Sequence, residues 1–160
     1  MKSRTAFLIM ALTLLMGASS TCFSQSTEKI NKLEVFLGIN VTELGRVYMN
    51  LLQMDSAVPQ VEPALENATL VVSVATQAID KAIVYAQVYT IMVDETDRFR
   101  VRMLLQLQAK NTIKSLDYSI EKMNGYLVRF QSQAVISEVQ KARDLVIKIK
   151  AEIERVVPVK

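Results

Sequence analysis

The chain contains no histidine among its 160 residues. Histidine is the commonest general base and a frequent zinc or haem ligand, so its absence excludes Ser/His and Cys/His nucleophile pairs. It also excludes the Glu-x-x-His pattern by which helical bundles hold two irons. The carboxylates show neither a paired acid–base arrangement nor the spacing of a calcium loop. The sequence therefore predicts a non-enzymatic protein with no catalytic residue, no metal and no cofactor.

The first 24 residues follow the order of a secretory signal peptide. Two basic residues precede an uncharged apolar run over residues 6–16, and small and polar residues then lead to Ser24. The apolar run is shorter than the roughly 20 residues that a membrane-spanning helix needs. We predict export to the periplasm or the medium, with cleavage after Ser24 or, alternatively, after Ser20. Residues 25–160 are then expected to form one domain.

Two residues are candidates for covalent modification. Cys22 is the only cysteine, and its removal with the signal would leave an exported domain held by its core without disulfides. Lipoprotein anchoring through Cys22 is the alternative, although the preceding Ser20 and Thr21 depart from a lipoprotein signal. Ser56 resembles a periplasmic O-glycosylation acceptor, since it stands between an aspartate and an apolar residue.

Charge of either sign is not in large excess. Without the signal, 17 basic residues stand against 16 acidic ones, so nucleic acid, which binds proteins through neutralised phosphates, is not an expected partner. The densest basic run is Arg98, Arg100 and Arg102. Helical residues two apart do not share a face, so we interpret these arginines as solvated positions partly neutralised by Glu95 and Asp97. Contact with anionic lipid or an acidic partner is the alternative.

Glycine and proline are also scarce, with three of each after the signal. No long stretch alternates apolar and polar residues, whereas helical spacing recurs four times. We therefore predict an all-α protein, an up-down-up-down four-helix bundle, with elongated coiled-coil helical hairpins as the alternative. The expected helices run from about Thr27 to Met54, from Pro63 to about Val93, from the Asp94 cap to between Asn124 and Gln131, and from near Ser132 to about Val157.

The second predicted helix is apolar over more of its circumference than one bundle face requires. One interpretation is that the third helix and the loops cover this excess apolar surface within the monomer. We instead predict that part of it stays accessible and contacts another subunit or an apolar ligand. Asp80 and Lys81 near its middle argue against a transmembrane helix. The candidate interaction surface consists of Val72, Ile79, Ile83, Tyr85, Tyr89 and Met92.

Small residues recur every seven positions on the first two predicted helices. Gly38 and Gly45 lie on the first, and Ala68, Ala75 and Ala82 lie on the second. A glycine inside a helix costs about 1 kcal/mol relative to alanine. The spacing therefore predicts that the two helices approach closely, with both glycines facing the alanines.

The functional expectation is an exported helical bundle that acts by protein–protein interaction, as a structural, adaptor or chaperone-like subunit. Self-association is included in this expectation. The alternative is a binder of an apolar ligand or lipid, either in the bundle interior or at the membrane surface.

Overall fold

A computed structural model describes the backbone of residues 2–57 and 63–158, with side chains for residues 26–54 and 63–158. Within these ranges the chain is all-helical and contains no strand, which confirms the predicted class. Cys22 and Ser56 lie outside the described side chains, and signal cleavage stays a prediction. The four helices are α1 (Lys2–Ala57), α2 (Pro63–Ile91), α3 (Glu95–Leu127) and α4 (Gln133–Val156).

The helix boundaries follow local sequence signals. Pro63 is the first residue of α2, where its missing amide hydrogen leaves no intrahelical bond unmade. Asp94 caps α3 by accepting hydrogen bonds from the backbone amides of Thr96 at 2.8 Å and Asp97 at 3.0 Å. α3 ends at Leu127, inside the predicted window, and Ser132 occupies the position before α4 without a side-chain capping bond.

The predicted start of the first helix is corrected, because α1 begins at Lys2 and not near Thr27. Gly125 lies inside α3, and none of the described glycines has positive φ.

The helices form a ring in which α1 packs on α2, α2 on α3, α3 on α4 and α4 on α1. α2 also approaches α4 across the diagonal, whereas α1 and α3 do not meet within the described ranges. In each neighbouring pair, moving forward along one helix leads backward along the other, so all four pairs are antiparallel. The successive polar contacts that show this are Ser26–Tyr89 and Glu34–Gln87, Ala78–Thr112 and Met92–Arg98, Asp117–Lys150 and Asn124–Arg143, and Asn40–Lys148 and Asn50–Glu138.

α2 is the most deeply embedded helix of the bundle. By length and composition alone it is the one described helix that could cross a membrane. In the bundle, however, its buried apolar residues face the interior, whereas Leu70, Val84 and Ile91 stay exposed, as do Asp80 and Lys81. α2 and α4 have three neighbours each, whereas α1 and α3 have two.

The predicted role of the glycines is wrong. A Cβ atom added at Gly38 or Gly45 would meet no other atom within 4 Å, apart from the adjoining helix backbone. The alanines of α2 do face the interior, since Ala68, Ala75 and Ala82 are at most 3 % exposed. Close packing therefore involves the alanines of α2. No steric contact requires a glycine at either position of α1.

We expect Gly45→Ala to stabilise the protein by about 0.5–1 kcal/mol, because alanine has the higher helix propensity and the structure has room for its methyl group. Urea unfolding followed by circular dichroism measures this. Gly125→Ala is a matched second variant, since its Cβ also meets nothing within 4 Å. Destabilisation by Gly45→Ala would show that α1 does require a glycine at this position.

Candidate interaction surface

Half of the interaction surface predicted on α2 lies in the core. Val72 and Ile79 are fully buried and Tyr89 is 1 % exposed, so these three residues cannot form a surface of the folded chain. The physical reason is the packing of α2 against its neighbours, which buries these three residues although Val84 and Ile91 of the same helix stay more than half exposed. The remaining members, Ile83, Tyr85 and Met92, are half-buried at the edges of the helix contacts.

The three arginines of the basic run have three different surroundings, as their spacing predicts. The half-buried guanidinium of Arg98 donates hydrogen bonds to the carbonyl oxygen of Met92, one of them 3.0 Å long from Nε, and so braces the α2–α3 connection. Arg100 forms an exposed ion pair of 3.4 Å with Asp97. Arg102 points to a separate pocket at one end of the bundle. The structure therefore does not assemble the run into one basic site.

The outer side of α3 carries the densest group of exposed apolar side chains. Phe99 is 63 % exposed, Met103 58 %, Leu107 57 % and Leu104 49 %. Phe99, Met103 and Leu107 are four residues apart, so they form one line along the helix. We call these four residues the outer α3 face. On the other helices, exposed large apolar residues occur singly or as pairs one turn apart.

The outer α3 face and the core side of α3 are opposite sides of one helix. Leu105 and Ala109 are buried at 3 % and 1 % exposure. Each lies two residues after a member of the outer α3 face, which corresponds to a rotation of about 200° at 3.6 residues per turn. α3 is therefore apolar on two sides between residues 99 and 109, and the bundle covers only one of them.

Positive charge predominates along the outer side of α3. Glu95 and Asp97 lie in the first turn, where the helix dipole favours carboxylates, and Asp97 is paired with the exposed Arg100. Lys110 and Lys114 follow the apolar residues and are exposed. The outer α3 face thus has basic side chains among and beyond its apolar residues, and carboxylates only at its start.

The described titratable groups do not assemble into a reactive cluster. No group of three acidic, cysteine or histidine residues that could hold a metal ion occurs among the described residues. The Glu138 carboxylate is 7 % exposed and accepts hydrogen bonds from Lys141 at 2.5 Å and from Asn50 at 3.2 Å. Burial raises its pKa, but these bonds and the lysine charge outweigh burial and hold the pKa below its ordinary value. A carboxylate stabilised in its ionised form joins α1 to α4 and is a poor proton donor.

Comparison with protein-family models, curated proteins and solved structures finds no match to this chain. The function of this chain is therefore inferred from its own surface.

The outer α3 face was not predicted from the sequence, although helical spacing contains a signal for it. Leu105 lies four residues before the buried Ala109 and belongs to the same core side of α3. Phe99, Met103 and Leu107 then fall on the opposite side.

Proposed function

We propose that this chain is an exported, non-enzymatic helical bundle that acts by protein–protein interaction, with the outer α3 face as its contact surface. The observation that carries the proposal is the exposure of four neighbouring large apolar side chains on the solvent side of α3. Contiguous exposed apolar residues on a soluble domain mark interaction sites, because their burial against a partner removes apolar area from water. Export itself rests on the order of residues in the N-terminal segment.

The surface fits a second copy of the same chain. An antiparallel pairing of two α3 helices about a two-fold axis near Met103 would stack Phe99 on Leu107 of the other copy. The same pairing would bring the acidic first turn of each α3 level with the lysines beyond Leu107. A two-fold interface requires such a self-complementary surface. The chain would then serve as a structural or adaptor subunit.

Sedimentation equilibrium of the protein as the cell processes it tests this proposal. We expect a concentration-dependent mass that reaches the dimer, and a weakening of at least about tenfold on Met103→Glu, since a buried charge without a partner opposes association. Ile39→Glu is the matched control, because Ile39 is 66 % exposed on α1 and lies outside the outer α3 face.

Site-specific photo-crosslinking in the cell extends the test to other partners. A photoreactive side chain at position 103 should give defined crosslinked products that position 39 does not give. The proposal fails if the protein is monomeric at every concentration and position 103 crosslinks no more than position 39.

A further inference from the structure

A pocket of about 340 Å³ lies at the bundle end where α2 finishes and α3 begins. All four helices contribute to it, together with the segment that follows α4. Ile30, Leu105 and Val157 are among its lining residues, and each is at most 7 % exposed. The volume is at the low end of small-molecule sites, which are mostly apolar with few polar groups. The pocket is separate from the outer α3 face, whose residues do not line it.

The charged residues that line this end pocket are all basic. They are Lys29, Arg102 and Arg155, and no carboxylate is among the described lining residues. Arg155 is already paired with Glu152 through two hydrogen bonds. Lys29 and Arg102, in contrast, form neither a hydrogen bond nor an ion pair with any part of the chain that the structure describes. Two uncompensated cations thus stand beside apolar walls.

Two hydroxyl groups and the side-chain amide of Gln106 complete the polar lining of the pocket. The hydroxyl of the buried Tyr89 and that of Ser26 lie 2.6 Å apart in a hydrogen bond that ties α1 to the end of α2. Cleavage after Ser24, as predicted, would place the new α-amino group one residue before Ser26.

From this lining we infer that the end pocket binds a small amphipathic carboxylate, a short alkyl chain with one anionic head group. The alkyl chain would pack on Ile30, Leu105 and Val157. The guanidinium of Arg102 presents paired donors that match a carboxylate, and Lys29 adds a second positive charge. This inference does not depend on the proposed α3 contact.

Isothermal titration calorimetry of the protein as the cell processes it, with octanoate as the probe, tests the inference. We expect saturable binding of one octanoate per chain, at least about tenfold tighter than binding of acetate, which lacks the apolar chain. 1-Octanol, which lacks the charge, should also bind at least about tenfold more weakly. Equal binding of octanoate and acetate, or of octanoate and 1-octanol, would overturn the inference.

Substitutions locate the site. Arg102→Gln should weaken octanoate binding at least about tenfold, whereas Lys114→Gln, an exposed cation of the same helix outside the pocket, should leave it unchanged. Met103→Glu should also leave octanoate binding unchanged, which separates this inference from the α3 contact. Equal effects of Arg102→Gln and Lys114→Gln would overturn it. So would octanoate binding that appears only after removal of Val159 and Lys160, because the pocket would then be the seat of the chain's own C-terminus.

Discussion

Replacing Ile79 by alanine is expected to lower the free energy of unfolding by about 2–5 kcal/mol. Ile79 is fully buried at the centre of α2, a helix that contacts all three others. The substitution removes buried methyl and methylene groups and leaves a cavity that the surrounding helices can fill only partly. Urea unfolding followed by circular dichroism gives the free energy of unfolding.

Val84→Ala is the matched control for Ile79→Ala. Val84 lies on the same helix, is 54 % exposed, and its truncation should change the free energy of unfolding by no more than about 0.5 kcal/mol. The comparison separates core from surface on one helix. Equal effects of the two substitutions would show that Ile79 is exposed to solvent, as the contact surface predicted on α2 requires.

The second large effect is expected from the opposite change, the enlargement of a buried small residue. Ala75→Leu should destabilise the protein by about 1–3 kcal/mol, because Ala75 is fully buried and the added atoms must displace packed neighbours. Ala151→Leu is the control on α4. Position 151 is exposed, and leucine and alanine have similar helix propensities.

The measurement for Ala75→Leu is the same unfolding experiment, with thermal unfolding as a second readout. Destabilisation by Ala75→Leu together with stabilisation by Gly45→Ala would locate close packing on α2 and not on α1. If Ala75→Leu has no effect or stabilises the protein, α2 does not pack closely at this level of the bundle.

The helices could be predicted because their signals are local. The proline at the start of α2, the aspartate before α3 and the repeated three-and-four spacing act within a few residues of the structure they specify. α4 shows how far such signals reach: Val139, Val146 and Ile149 recur at helical spacing along it, and all three are fully buried. The spacing of apolar residues along such a helix is enough to determine which side faces inward.

The assignment of surface and core on α2 required the packed structure. A broad apolar sector fits either a partner outside the bundle or three neighbours inside it, and periodicity does not distinguish them. The burial of Val72 and Tyr89 in the packed bundle decides between these readings for those two residues. For α3 the helical spacing was informative. Leu105 and Ala109 lie on one side of the helix, and the spacing separates them from the outer α3 face.

The sequence by itself determined the helical class, the main helix boundaries, the absence of imidazole chemistry and the segment expected to direct export. These features depend on composition and on neighbours within a few turns. Only the tertiary structure decided that the glycines of α1 face open space, and that the pocket at the bundle end joins Lys29, Arg102 and Arg155. Those residues are distant along the chain, and they meet because the antiparallel helices bring the middle of α1, the beginning of α3 and the end of α4 to one end of the bundle.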